Sequence, residues 1–370
     1  MDARAYLEQH VKTREEIDAF LKLDYADAYD AKGLGWTYDG ELGWILVDSI
    51  RPDGIDDSKT FYHYEPTGAR RRINAADQTA RVHTYGNSFT HCDQVSDGET
   101  WQEYLAAHLR EPIENYGVGG YSVYQAYRRM RKIETTHPAD HIVLNIWDDD
   151  NFRNLDAWRT LRFGKGSRCG FTLPHIRVDG DIVAERENLC PTPDDVYKLS
   201  DLDWLVETFT ADPVLNAVLE IITSRGHTPV AEVPLGVGLP GEIDLLQSQL
   251  AQRALRATRH VLEQTERFVK ESGKRLLVVL SYSRGGILRA LQDEPAWDQT
   301  LVDFLQTRDY PCIDLRDAHR AEFAGFNGSP DEYLNRYYIG HYAPAGNFFF
   351  AQALKDAFVD WLDPRPLPYQ

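Results

Sequence analysis

Ser88, His341, a glycine cluster and a run of carboxylates are the residues in this chain whose types and spacing could do chemistry. HTYGNSFTHC, residues 83 to 92, sets Gly86, Asn87 and Ser88 just before a run that reads as helix. NYGVGGYS, residues 115 to 122, holds Gly117, Gly119 and Gly120. IWDDDNFRN, residues 146 to 154, groups Asp148, Asp149, Asp150 and Asn151, and YYIGHYAPAGN, residues 337 to 347, carries His341. Acyl transfer is the chemistry that needs such a set. A serine hydroxyl is a poor nucleophile until a base takes its proton, and histidine is the base whose ordinary pKa lies nearest neutrality. Backbone N–H groups at the start of a helix after Ser88, and in the glycine loop, could meet a developing oxyanion. Each feature also has a structural reading: a serine that caps a helix, glycines that make a tight turn, a histidine that is polar surface. His91 and Cys92 are expected to pack beneath the turn, with Cys92 as nucleophile the remoter alternative.

The elements that must position these residues alternate. Strands are predicted over 80–86, 112–118, 140–147, 274–283 and 310–318, and helices over 98–109, 122–133, 242–272, 295–308 and 344–362. The third strand, DHIVLNIW, is nearly all apolar in its middle, as a parallel strand covered on both faces should be. Such alternation predicts an α/β fold with a parallel sheet between helices, and ligands in these sheets sit at the carboxyl ends of the strands. All four chemical stretches fall on that edge. Ahead of this core, residues 3 to 30 read as helical, and residues 34 to 75, rich in aromatic and β-branched types, read as two or three short strands. Residues 151 to 235 interrupt the alternation with a hairpin at LPHIRVDGDIVAE, its turn placed at Asp179-Gly180. The expected organisation is an N-terminal extension, 1–79, packed on a core domain, 80–365, with an insertion over 151–240.

Composition narrows the function. Apolar residues make up 42% of the 370-residue chain and charged residues 26%, the profile of a globular protein. With 40 Lys and Arg against 58 Asp and Glu, the formal charge is -18, which argues against nucleic acid and anionic membranes as partners. No stretch approaches the ~20 apolar residues of a membrane helix. The charged start, MDARAYLEQH, predicts a cytoplasmic protein, or a secreted or periplasmic one if a signal peptide has been removed. Four cysteines do not make a disulfide scaffold; Cys169 and Cys190 flank the hairpin and could pair in an oxidising compartment, free thiols being the expectation. Neither CxxC nor HExxH occurs, so a structural zinc site has no support.

YGNSFTHC, NYGVGGYS and GHYAPAGN together resemble the motif blocks of the SGNH (GDSL-type) hydrolases, serine esterases and lipases on a flavodoxin-like α/β/α sandwich. The resemblance covers about residues 80 to 362. It implies a three-layer sandwich, no cofactor, Ser88 as nucleophile, His341 as general base, and the N–H groups of Ser88 and Gly120 in the oxyanion hole. Three positions depart from the family pattern. Asn87 stands where the aspartate of GDS is usual. The block that normally reads GxND, whose Asn donates to the oxyanion, is Ile146-Trp147-Asp148-Asp149 here, so a neutral Asp148 or Asn151 fills that role or the hole has only two donors. Tyr338 occupies the place of the aspartate three residues before the histidine, which leaves Asp331 or Asp148 as candidate orienting acids, or a Ser-His dyad. Asn87, Asp149, Arg153 and Tyr338 are candidate substrate contacts.

The expected reaction is hydrolysis of a small-molecule or glycan ester, with a short acyl group such as a carbohydrate O-acetyl favoured. Trp158, Phe163, Phe171, His175 and Arg177 of the insertion could stack on sugars or acyl chains, or simply pack. The alternative is a catalytically weak or inactive relative that binds an acylated glycan. A metal-dependent hydrolase using Asp148, Asp149 and Asp150 is disfavoured, because adjacent side chains leave a strand end in different directions. The oligomeric state is not legible.

Overall fold

The computed structural model describes residues 2–21, 35–164, 170–224 and 249–367. Its centre is a five-stranded parallel sheet made of β5 (Val82–Tyr85), β6 (Ile113–Asn115), β7 (His141–Trp147), β10 (Arg275–Ser281) and β11 (Cys312–Asp314). Ahead of it lie β1 (Trp36–Asp39), β2 (Gly43–Leu46), β3 (Ser49–Arg51) and β4 (Thr60–Tyr62); β8 (His175–Asp179) and β9 (Ile182–Arg186) lie in the insertion. The sheet order is β11-β10-β7-β5-β6. Counted along the core this is 2-1-3-4-5, the flavodoxin-like arrangement, whose switch point falls between β5 and β7. Ser88 follows one of those strands and Asp148 the other.

This order also explains the layers. The chain moves one way from β5 to β6 and back the other way from β6 past β5 to β7. Right-handed crossovers then put the intervening helices, Trp101–Leu109 and Val123–Thr136, on opposite faces of the sheet. Trp101–Leu109 packs on the last helix, Pro344–Trp361, and Val123–Thr136 packs on Gln249–Glu271. β7 and β10 are buried almost throughout, as their apolar runs require. Among the described residues no helix is long and apolar enough to cross a membrane.

Several expectations need correction. The N-terminal helical stretch is two helices, Ala3–Glu8 and Arg14–Leu21, separated by non-helical residues 9–13, and residues 22–30 lie outside the described residues. Among its described residues the extension holds four strands in two antiparallel pairs. Asp179 pairs with Ile182, so the β8–β9 turn is Gly180-Asp181, one residue later than predicted. The last core strand stops at Asp314, whose side chain accepts from the Arg316 N–H and caps the helix Leu315–Phe323. The long helix is described over Gln249–Glu271, and residues 242–248 of its predicted span lie outside the described residues. Trp158 and Phe171 are core side chains: the Trp158 indole donates to the Gly170 carbonyl, and Phe171 packs on Phe20, Trp36 and Tyr38. Cys92, Cys190 and Cys312 are free thiols, and Cys169 lies outside the described residues.

Candidate active site

β5 ends at Tyr85 and the chain turns at once into the one-turn helix Ser88–His91. Gly86 makes that turn possible. A Cβ there would lie 2.2 Å from Thr90 Oγ1 and 2.6 Å from the Asn145 carbonyl of β7. Asn87 caps the turn, its Oδ1 accepting from the Phe89 N–H and its Nδ2 donating to Asp150 Oδ1 at 2.9 Å. Ser88 is thereby fixed as the first helical residue, 6% exposed. A single turn carries little macrodipole, so any oxyanion here must rely on individual N–H groups.

His341 arrives from the other end of the chain. Tyr338 and Tyr342 bridge across a tight turn in which the Ile339 N–H donates to the His341 carbonyl. Gly340 at its apex has φ 122, and a Cβ on it would lie 2.7 Å from Gln94 Oε1. The turn delivers the imidazole so that His341 Nε2 lies 2.9 Å from Ser88 Oγ. Phe89 flanks the pair, 5.1 Å from the His341 ring and stacked at 5.2 Å on Trp147.

Gln94 holds the other side of the imidazole. Its Oε1 accepts from the His341 backbone N–H at 2.7 Å and lies 3.0 Å from His341 Nδ1. Its Nε2 donates to the carbonyls of Asp53 and Ile339 at 3.0 and 3.2 Å, which settles which end of the amide faces the ring. An oxygen facing Nδ1 requires the proton there and leaves Nε2 as the lone-pair nitrogen towards Ser88. No feature of the sequence marks Gln94 for this place. It sits in a left-handed conformation, φ 73, two residues after Cys92, also left-handed. The N-terminal extension clamps this loop. Buried Arg70 donates to the carbonyls of His91, Cys92 and Val95 and to Asp97, and the Tyr62 hydroxyl accepts from the Gln94 N–H.

The extension also orients the glycine loop. Trp44 Nε1 donates to the Gly119 carbonyl at 3.2 Å, and Arg159 donates to the Gly120 carbonyl at 2.7 Å. In a trans peptide the N–H points opposite to the C=O, so the Gly120 N–H is turned away from Trp44. Among the hydrogen bonds of the described residues, the N–H groups of Ser88 and Gly120 donate to no protein acceptor.

Other sequence candidates are not brought to the pair. Asn151 is turned outward: its Nδ2 donates to the Asp148 carbonyl and its Oδ1 accepts from Thr258 of the long helix. Asp148 accepts from the Ser283 N–H and hydroxyl after β10, and burial pushes its carboxyl up to about 7 against those bonds. Neither is placed as an oxyanion donor, and Asp148 is not the orienting acid. Asp331 is not either: it pairs with Arg284 at 2.6 Å on the surface. Tyr338 is buried and donates to the Tyr282 carbonyl. Asn87 is fully buried in its cap. Burial would raise the Asp149 carboxyl, but Arg162 and Arg153 outweigh it and hold it below its ordinary value. All three side chains are buried. Arg153 retains some exposure, bonded to Asp149, Asp150 and the Tyr121 carbonyl with its guanidinium over Trp147. Asp148, Asp149 and Asp150 thus face Ser283, Arg162 and Asn87 respectively, and share no centre. The Cys92 thiol, pushed up to about 12 by burial, is no nucleophile.

No known family profile matches the chain, and no curated protein does. Solved structures do. An alpha/beta hydrolase enzyme from the metagenome of Lake Arreo, Spain, aligns with TM-score 0.39 and 12% identity over 75% of this chain and 94% of its own. A member of the lipolytic G-D-S-L family from Veillonella parvula aligns with TM-score 0.37 and 12% identity over 75% of this chain and 97% of its own. Over three quarters of its length the chain is therefore similar to solved chains named as an alpha/beta hydrolase and as a lipolytic G-D-S-L protein.

Proposed function

We propose that the protein is a serine hydrolase that transfers an acyl group from an ester to water, with Ser88 as nucleophile and His341 as general base. One observation carries this: Ser88 Oγ and His341 Nε2 are within hydrogen-bond reach at 2.9 Å, with the imidazole's other nitrogen held by a third group. Ser88 Oγ attacks the ester carbonyl as Nε2 takes its proton. The N–H groups of Ser88 and Gly120 receive the oxyanion. The tetrahedral adduct collapses, His341 gives the proton to the leaving alkoxide, and a water activated by the same nitrogen releases the acyl group. Gln94 keeps the proton on Nδ1 throughout. An amide in that role parallels the Cys-His-Asn arrangement of other hydrolases.

The aromatic wall of Phe89 and Trp147 beside a nearly buried Ser88 suits a short acyl group, such as an acetyl ester of a carbohydrate. With the Asn151 amide committed to Asp148 and Thr258, the hole has two donors. A missing donor costs about 2.7–4 kcal/mol of transition-state stabilisation in characterised enzymes. That observation favours a slow enzyme and keeps a second reading open, a non-catalytic protein that binds an acylated glycan. Turnover of p-nitrophenyl acetate by the wild type, lost in Ser88→Ala, supports the enzyme. A wild type no faster than Ser88→Ala, with acetylated glycan still bound, supports the binder.

A further inference from the structure

One buried network beside the site has no part in the mechanism so far. The Asp93 N–H donates to the Ser88 carbonyl at 3.0 Å, so Asp93 lies on the nucleophile's own turn, one residue before Gln94. His91 Nδ1 bonds to Asp93 Oδ1, and the Tyr64 hydroxyl lies 2.6 Å from His91 Nε2. The Tyr62 ring stacks on the His91 ring, and the Tyr64 ring lies nearly parallel to it at its edge. A hydroxyl donating to Nε2 leaves the proton on Nδ1 to donate to Asp93, so the chain Tyr64–His91–Asp93 is complete with a neutral imidazole. Burial holds His91 below its ordinary pKa despite the pull of Asp93. The network therefore fixes a carboxylate without cancelling its charge. Asp93 Oδ2 faces the oxyanion loop, 3.0 Å from where a Cβ on Gly119 would lie. Its charged and titratable neighbours are His91 on its own turn, His341 before the last helix, Arg51 on β3, and Tyr62 and Tyr64 of the second hairpin. Burial would raise the Asp93 carboxyl, but His91, His341 and Arg51 outweigh it and hold it well below the ordinary range.

An acid in a serine triad has two tasks: holding the imidazole's tautomer and stabilising its charged form. The neutral Gln94 oxygen performs only the first. We propose that Asp93 performs the second, as a positioning residue whose carboxylate, on the nucleophile's turn and next to the Gln94 that holds His341, stabilises the His341 imidazolium, so that two consecutive residues divide the work of one triad acid. This deepens the hydrolase reading and rests on it. No extra proton moves: the Ser88 proton goes to Nε2, the other proton stays on Nδ1 and is donated to the Gln94 oxygen, and Asp93 remains ionised throughout.

Asp93→Asn removes the charge while its amide oxygen still accepts from His91. The His341 Cε1–H resonance, followed by NMR across pH, reads the coupling without turnover. The midpoint is expected to fall by about one pH unit or more relative to wild type, with the acid limb of kcat/KM for p-nitrophenyl acetate moving the same way and kcat falling about tenfold. An unchanged midpoint in the folded variant overturns the proposal. Asp93→Ser removes the charge through a smaller hydrogen-bonding side chain and is read the same way if the Asn variant does not fold. A wild type that neither turns over ester nor loses activity on Ser88→Ala sinks the hydrolase reading instead, and the NMR titration still reports separately on Asp93.

Discussion

Replacing Gln94 by Leu keeps the side chain's approximate volume and removes both its polar atoms. The lost oxygen accepts from the His341 N–H at 2.7 Å and faces Nδ1 at 3.0 Å. A net hydrogen bond is worth about 0.5–1.5 kcal/mol, so two of them, if fully expressed in the transition state, amount to about 1–3 kcal/mol. At about 1.4 kcal/mol per decade this is roughly a 5- to 150-fold loss in kcat. Removing the charged acid of a Ser-His-Asp triad costs roughly ten-thousand-fold. The contrast is the point: a neutral amide that sets only a tautomer should matter less than an acid that also carries charge. Leu also leaves the carbonyls of Asp53 and Ile339 without their donor, and about 1–3 kcal/mol of stability goes with them. The assay is kcat and KM for p-nitrophenyl acetate alongside urea unfolding of the same samples. A folded Gln94→Leu with kcat within twofold of wild type would refute the assignment. A ten-thousand-fold loss would show that Gln94 does more than orient the ring.

Arg70→Ala leaves the carbonyls of Cys92 and Val95 without their buried donor and takes one of two partners from the His91 carbonyl and the charged partner from Asp97. Unfolding in urea should show a loss of about 3–5 kcal/mol, and unchanged stability would mean the clamp is idle. Asp148→Asn addresses pH. The folded value of Asp148, about 7, lies above the ordinary carboxylate value of about 3.9, so folding favours its protonated form. That stabilisation is fully present below about pH 4 and is lost as pH rises through about 7. The Asn variant should therefore gain on the order of 2 kcal/mol at pH 8 relative to wild type and little at pH 4, as read by urea midpoints at the two pH values; equal shifts at both would contradict the burial argument. Asp331→Asn, which breaks only an exposed pair with Arg284, should leave ester turnover and stability within error, and a marked loss of turnover would revive Asp331 as an acid.

Much of this molecule is readable from local pattern. The apolar run of β7 and the alternation around it specify a covered parallel strand, and the turn after β5 needs a glycine whatever follows it. Ser88 and His341 stand out in the sequence because their chemistry is rare, Ser88 just after a strand and His341 just ahead of the last helix, and the structure brings them within 2.9 Å of each other. What escapes is decided at long range. Asn151 reads as a donor, yet Thr258, 107 residues on, donates to its Oδ1 while its Nδ2 is spent on the Asp148 carbonyl. Tyr338 reads as a site residue, yet it is sealed in a tyrosine cluster with Tyr342 and His319. Gln94 is an unremarkable amide in sequence. Its position depends on two left-handed residues and on an arginine from the extension, neither of which leaves a periodic signal. The extension, expected simply to pack, supplies Trp44 to the glycine loop and Tyr62, Arg70 and the Asp53 carbonyl to the Gln94 loop.

The central claim is that Ser88 is activated by His341. Reaction with a fluorophosphonate probe, followed by digestion and mass spectrometry, tests it directly. The account predicts one adduct, on the peptide containing Ser88, formed by the folded wild type and absent from folded His341→Ala. An unmodified Ser88, or labelling that persists at the same rate without the imidazole, contradicts it.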